Sequence, residues 1–220
     1  MSLSENYKRI SYEIAEAKAR YRSNDEKVRL MAVTKTVPPE IVNEAIALGI
    51  DLLGENRVQE FLSKKDSYSP AEIHFIGSLQ SNKVRKIIEL TSMIHSVDSV
   101  SLADEINRQS TLAKIKTDVL IEINIGDEDS KSGVLLKDFD SLAEHLISLQ
   151  NINLRGIMVI PPPGNEEYFF AKTKDLFDKT KEKYNTFDTL SMGMSGDFKE
   201  AIKHGSNIVR VGSALFGARI

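Results

Sequence analysis

The sequence predicts a (β/α)8 TIM barrel carrying one additional N-terminal helix. Three observations carry that expectation. Eight short apolar runs alternate without a break with amphipathic stretches, which implies a parallel sheet with right-handed crossovers. No dinucleotide glycine fingerprint follows the first strand, which makes an open doubly wound sheet the weaker alternative. The 220 residues contain no linker, repeat or low-complexity segment and fit one domain at about 100–200 residues each. The expected layout is one domain over 1–220, with the extra helix in 1–25 and the barrel in 29–220.

Each element has its own signal. Tyr7, Ile10, Ile14, Ala17 and Tyr21 recur at three- or four-residue steps, so the first segment, from about Ser4 to Tyr21, is a helix with one apolar stripe. Arg29 to Thr34 is the first buried strand, stopped by Pro38 and Pro39; Ile41, Val42, Ala45, Ile46 and Leu48 then form a helical face, with Gly49 as its C-terminal cap. The second strand, Asp51 to Leu53, is followed by a helix over Asn56–Lys64. Glu72–Ile76 precedes a helix around Asn82–Leu90, and Met93–His95 precedes one through Leu102, Ala103 and Ile106. Asp118–Asn124 leads to the face Phe139, Leu142, Ala143, Leu146, Ile147. Leu154–Ile160 leads to a long charged helix over about Glu166–Tyr184. Thr189–Ser191 leads to a helix over about Ser195–His204, and Ile208–Val211 is the eighth strand.

Composition narrows the function classes. With 29 basic and 32 acidic residues the net charge is −3, the wrong balance for non-specific nucleic-acid binding, which draws its affinity from clustered Lys and Arg. No run reaches membrane-spanning length and the N-terminus lacks the apolar core of a signal peptide, so a cytoplasmic protein with no membrane partner is expected. Cysteine is absent, which removes disulfides, thiolate metal sites and a cysteine nucleophile. The histidines at 74, 95, 145 and 204 show no metal-ligand spacing; His74 and His95, within strands, read as hydrogen-bonded structural residues. No metal site is expected.

In a barrel, sites lie at the carboxyl ends of the strands, and phosphate commonly binds after the seventh and eighth. The residues at those ends are Lys35, Glu55 and Asn56, Gly77 to Gln80, Asn124, Pro161 to Gly164, Met192 to Gly196 and Gly212 to Gly217. The segment Ser191–Arg219 contains Gly193, Gly196, Gly205, Gly212 and Gly217. These glycines are either caps and turns or a phosphate cup, with Ser195-Gly196 opening one helix and Gly212-Ser213-Ala214 a short turn. Lys35 is open to three readings: a solvated loop residue, a phosphate ligand or a Schiff-base lysine. Arg210, inside an apolar strand, needs a planar polar partner; Glu55 and Glu122 are the carboxylates in reach.

Five segments then carry a resemblance. Ala32-Val-Thr-Lys35, Gly54-Glu-Asn-Arg-Val-Gln-Glu60, His74-Phe-Ile-Gly-Ser-Leu-Gln-Ser-Asn-Lys83, Leu190-Ser-Met-Gly-Met-Ser-Gly-Asp197 and Val209-Arg-Val-Gly-Ser-Ala-Leu-Phe-Gly-Ala-Arg219 together resemble the pyridoxal phosphate homeostasis protein family. Its members are stand-alone relatives of the alanine racemase barrel domain. The resemblance implies that the chain binds pyridoxal 5′-phosphate (PLP), with Lys35 forming the Schiff base and Arg210 facing the pyridine nitrogen. It places Ser195, Gly212 and Ser213 on the phosphate and Asn56 beside the ring. Two positions depart from the family pattern, Ser78 for histidine and Asn207 for threonine.

The same resemblance implies intracellular PLP homeostasis: holding, buffering or delivering the cofactor, with PLP-dependent apo-enzymes as recipients and a monomeric protein. No catalytic residue is assigned. A permanently cationic arginine at the ring nitrogen weakens carbanion stabilisation, and the chain ends at Ile220 without the second domain that gives racemases their tyrosine base. The alternative is a single-domain, racemase-like PLP enzyme. Condensation also requires a neutral Lys35 amine, which desolvation and the Arg210 charge both favour.

Overall fold

A computed structural model describes residues 1–128 and 131–217 of the chain. Its strands are β1 (Arg29–Val33), β2 (Leu52–Glu55), β3 (Glu72–Phe75), β4 (Met93–Val97), β5 (Thr117–Asn124), β6 (Val134–Leu135), β7 (Ile152–Val159), β8 (Thr189–Ser191) and β9 (Ile208–Val211). All pair in parallel, in the order β4-β3-β2-β1-β9-β8-β7-β5, and a further β4–β5 pairing closes the ring. The two-residue β6 hangs on β5 outside it. The result is the expected closed, eight-stranded (β/α)8 barrel.

The helices are α1 (Leu3–Tyr21), α2 (Pro39–Ala47), α3 (Val58–Lys64), α4 (Val100–Ala113), α5 (Phe139–Ser148), α6 (Glu166–Lys183), α7 (Phe198–Lys203) and α8 (Ser213–Phe216). None is long and apolar enough among the described residues to cross a membrane. Ser2 and Glu5 form a reciprocal capping box that starts α1.

Two expectations change. The segment after β3 is a 3-10 helix over Ser81–Lys86, not an α-helix to Leu90. At its start Lys83 donates to the Gln80 carbonyl at 2.9 Å, and just beyond it Ile87 donates to Val84 and Leu90 to Ile87, all i→i+3 bonds of the 3-10 kind. Helix α7 starts at Phe198, not Ser195, because the Asp197 carboxylate accepts from the Met194 amide at 2.5 Å and folds Met194–Asp197 into a separate turn. Gly193 makes that turn possible. Its φ is +89°, and a Cβ there would lie 2.5 Å from Ala201 Cβ and 2.9 Å from Phe198 Cα.

Most of the core lies between the ring and its helices. One side gathers Phe61, Phe75, Ile94, Val119, Ile121, Leu146, Phe170, Phe177 and Phe187; the other packs Ile10 and Ile14 of α1 against Val42, Phe198, Ile202 and Leu215. Inside the ring the apolar filling is sparse: Met31, Leu52 and Ile208 with Ile76, and Met93, Leu120 and Met158. Alternation along β3, β4, β5, β8 and β9 directs His74, His95, Glu122, Ser191 and Arg210 into the remaining interior, and all five are buried.

Candidate functional site

The carboxyl ends of the strands open into a cavity of about 1000 Å³. Lys35, Asn56, Ser195, Arg210, Gly212 and Ser213 all line it. The ring order explains why residues so far apart in sequence meet: β1 pairs with both β2 and β9, so Lys35, Asn56 and Gly212 sit at adjacent strand ends. Val33, Ile76, Ile160, Met194 and Phe216 supply apolar walls, and Leu3 reaches the rim from α1.

Lys35 follows β1 on the alternation that turns Met31 inward. The next residue, Thr36, has φ +63°, a left-handed conformation unfavourable for a β-branched side chain. The Glu60 carboxylate holds it there, accepting from the Thr36 amide at 2.5 Å while the Lys64 ammonium, bonded to the same oxygen, also donates to the Val37 carbonyl at 2.8 Å. Burial opposes ionisation of Glu60, but Lys64 and the Thr36 amide outweigh it and keep its carboxyl below the usual range. Asn56 is fixed from behind by Gly77, where a Cβ would stand 2.1 Å from the Asn56 carbonyl oxygen. Its side-chain Oδ1 is buried without a hydrogen-bond partner.

On the opposite wall, the Ser195 hydroxyl accepts from the Gly212 amide at 3.3 Å and the Ala214 amide at 3.2 Å. The backbone N–H groups at the start of α8 therefore converge on one oxygen, the arrangement an anion needs. One side of the predicted cup is thus a helix start, while the other is the Met194–Asp197 turn carrying the Ser195 hydroxyl. Helix α1 braces this wall: Asn6 Nδ2 donates to the Leu215 carbonyl at 2.9 Å and Arg9 Nη2 to the Ala214 carbonyl at 3.2 Å.

Arg210 forms the floor. Its guanidinium donates from Nη1 to Ser191 Oγ at 2.8 Å and from Nη2 to the Val159 carbonyl at 2.9 Å. The expected carboxylate pair with Glu55 or Glu122 is not present among the described residues. Glu55 points outward between ring and helices, accepting from the Thr34 hydroxyl at 2.6 Å and the Tyr68 hydroxyl at 2.7 Å. Glu122 acts on Arg210 as a charge, without contact. Burial pushes Arg210 down to about 10, against the pull of Glu122 and Asp197. Burial and the Asp98 charge push Glu122 up to about 7, with Arg210 opposing.

Behind Arg210, Ser191 Oγ also lies 3.1 Å from His95 Nδ1; His95 Nε2 lies 2.9 Å from His74 Nδ1, and His74 Nε2 lies 2.7 Å from a Glu72 carboxylate oxygen. The two strand histidines are hydrogen-bonded within the interior, as expected. Burial foremost, then His74 whenever it carries a charge and the Arg210 charge, hold His95 well below the ordinary histidine range.

Asn124 and Asn207 do not line the cavity. Asn124 bonds the Glu128 backbone, accepting at 3.1 Å and donating at 2.7 Å, and so closes its own loop. Asn207 donates to the Asp188 carbonyl at 2.6 Å and accepts from the Leu190 amide at 2.8 Å, tying β8 to β9. Ala218 and Arg219 of the last motif lie outside the described residues. The Glu60–Lys64 clamp, the α1 brace and the His74–His95 chain are absent from the strand-end reading. Inward alternation of His74 with Ile76 and of His95 with Met93 was the available signal for the last.

Similarity to known proteins extends over nearly the whole chain. The family described as Alanine racemase, N-terminal domain, matches residues 6–220. A pyridoxal phosphate homeostasis protein of Aquifex aeolicus is 40% identical over 226 residues, covering 100% of this chain and 99% of the relative. Among solved structures, a protein of Bifidobacterium adolescentis superposes with a TM-score of 0.91 at 33% identity, covering 97% of this chain and 94% of its own. PipY of Synechococcus elongatus PCC7942, solved with PLP bound, superposes with a TM-score of 0.83 at 30% identity, covering 98% of this chain and 100% of its own.

Proposed function

The chain belongs to the pyridoxal phosphate homeostasis protein family, within the alanine racemase N-terminal domain class, and on that premise we propose that it binds PLP at the barrel mouth and serves intracellular PLP homeostasis. One observation carries the reading: an amine, a tethered guanidinium and a backbone-amide cup face one cavity.

The residues fit the group. Lys35 supplies the amine, Arg210 faces the ring nitrogen, and Ser195, Gly212 and Ser213 hold the phosphate. Asn56, whose Oδ1 is buried without a partner, lies beside the ring. When bound, PLP supplies an aldehyde electrophile and an electron-withdrawing pyridine. The residues here set how far that capacity is used. A guanidinium has no proton to give a pyridine nitrogen at neutral pH, so it leaves the ring a weak electron sink. Among the described residues the cavity lining holds no tyrosine or histidine, so Lys35 is the amine base facing the site. Holding, buffering or delivering the cofactor therefore suits this geometry better than turnover. The reading extends to a single cofactor-binding domain, a monomeric cytoplasmic protein and PLP-dependent apo-enzymes as recipients.

The test is the visible spectrum of the purified protein. A yellow band that borohydride bleaches, leaving the cofactor attached, is expected for the wild type and lost in Lys35→Ala. Covalent PLP retained in that variant overturns the assignment of Lys35. Rapid D-isomer formation from a panel of L-amino acids would favour the racemase-like alternative.

A further inference from the structure

The contacts behind Arg210 form one continuous chain through the barrel interior. It begins at the amino-terminal end of the ring, where Arg29 Nη1 meets Glu72 at 2.8 Å. It continues through His74, His95 and Ser191 and ends on the guanidinium. His74, His95, Ser191 and Arg210 are each no more than 4% exposed.

With one proton on each imidazole, the direction of every bond follows from the Glu72 end. An ionised carboxylate only accepts, so His74 donates from Nε2 and must accept at Nδ1. His95 then donates from Nε2 and accepts at Nδ1. The Ser191 hydroxyl must give its proton to His95, which turns an oxygen lone pair toward Arg210 Nη1. The second tether, the Val159 carbonyl on Nη2, cannot fix the fork alone, because a single bond leaves it free to rotate.

We propose that His95, seconded by His74, is a positioning residue: through Ser191 it fixes the guanidinium of Arg210 in the plane it presents to the cavity. The inference rests on the PLP reading for its consequence and for its binding test, while the tautomer measurement that closes the test is independent of PLP. Neighbouring charges act on both residues and are left unsubstituted in that test. Glu122 from β5 acts on Arg210 together with Asp197, and Arg210 with His74 acts on His95.

Asparagine and glutamine separate positioning from packing. His95→Asn keeps an acceptor where Nδ1 meets Ser191, whereas His95→Gln keeps a polar atom only where Nε2 meets His74. Expected results are a PLP Kd about tenfold higher in His95→Gln and in Ser191→Ala, with a shifted visible band. His95→Asn should stay within about twofold of the wild type. Circular dichroism identifies variants that do not fold, and Ser191→Ala keeps the question open should a His95 variant fail. Unchanged Kd and band in folded His95→Gln and Ser191→Ala overturn the proposal. If the wild type takes up no PLP, the functional reading falls and nitrogen NMR of the two imidazoles decides the chain instead. Nε2–H tautomers on both rings at neutral pH support it, and an Nδ1–H His95 overturns it.

Discussion

Glu122 shows how much one interior carboxyl can govern. Burial, with the Asp98 charge, pushes its carboxyl up from the ordinary 4.5 to about 7, so at this group the folded protein binds more protons than the unfolded chain between those values. The contribution of Glu122 to stability must therefore fall as pH rises from about 4.5 to about 7, by up to roughly 3 kcal/mol. Glu122→Gln removes the charge and keeps the shape. Thermal unfolding should show the variant matching the wild type at pH ~5 and exceeding it at pH ~8; equal melting at both values would contradict the shift. Ser195 makes a second residue-scale case. Its hydroxyl meets the two amides that would otherwise serve an anion alone. Ser195→Ala should raise the Kd for PLP about tenfold, about 1.4 kcal/mol, and leave the Kd for pyridoxal, which has no phosphate, nearly unchanged. Parallel loss for both ligands would place Ser195 away from the phosphate.

Among the elements, α1 has a task its position outside the ring conceals. Its Asn6 and Arg9 bond carbonyls of α8, while Arg22 after its last turn donates to the Ser206 carbonyl at 3.0 Å. The helix thus clamps the segments on both sides of β9. Asn6→Ala breaks a buried bond at a cost of about 1 kcal/mol and lets α8 shift. The expected outcome is a severalfold weaker hold on PLP, read by equilibrium dialysis, although Asn6 does not line the cavity. Unaltered affinity would make α1 a packing element only.

For the whole molecule, the weak point of the ring is the β8–β9 seam, where the register includes the single pair Ser191↔Ile208. Side chains complete it: Asn207 bridges Asp188 and Leu190, and Ser206 Oγ lies within 2.7 Å of the Met192 carbonyl and 3.0 Å of the Ile208 carbonyl. Asn207→Ala should lower the urea midpoint, by about 1–2 kcal/mol of stability, with the m-value unchanged because the same surface is exposed on unfolding. A variant as stable as the wild type would show that the strands hold the seam without it.

The ring itself was legible because buried parallel strands leave apolar runs, and the amphipathic helices between them leave a period near four; Ile10, Ile14 and Ala17 of α1 are buried where that period put them. The mouth was legible because closure brings strand ends together, so Lys35, Asn56 and Gly212 needed no knowledge of contacts. Helix starts were less so. Asp197 folds back on Met194 and delays α7 to Phe198, a contest between a side chain and the helix that residue spacing does not record. The partner of Arg210 was also hidden. Two carboxylates stood at plausible ring positions, yet a serine hydroxyl and a main-chain carbonyl took the bonds, and a main-chain oxygen has no letter in the sequence.

Closure between β1 and β9 has a consequence for how such a protein is born. Under the proposed reading, residues 35 and 212 must both have left the ribosome before the two sides of the pocket can meet, so chains cut short before residue 212 should emerge colourless.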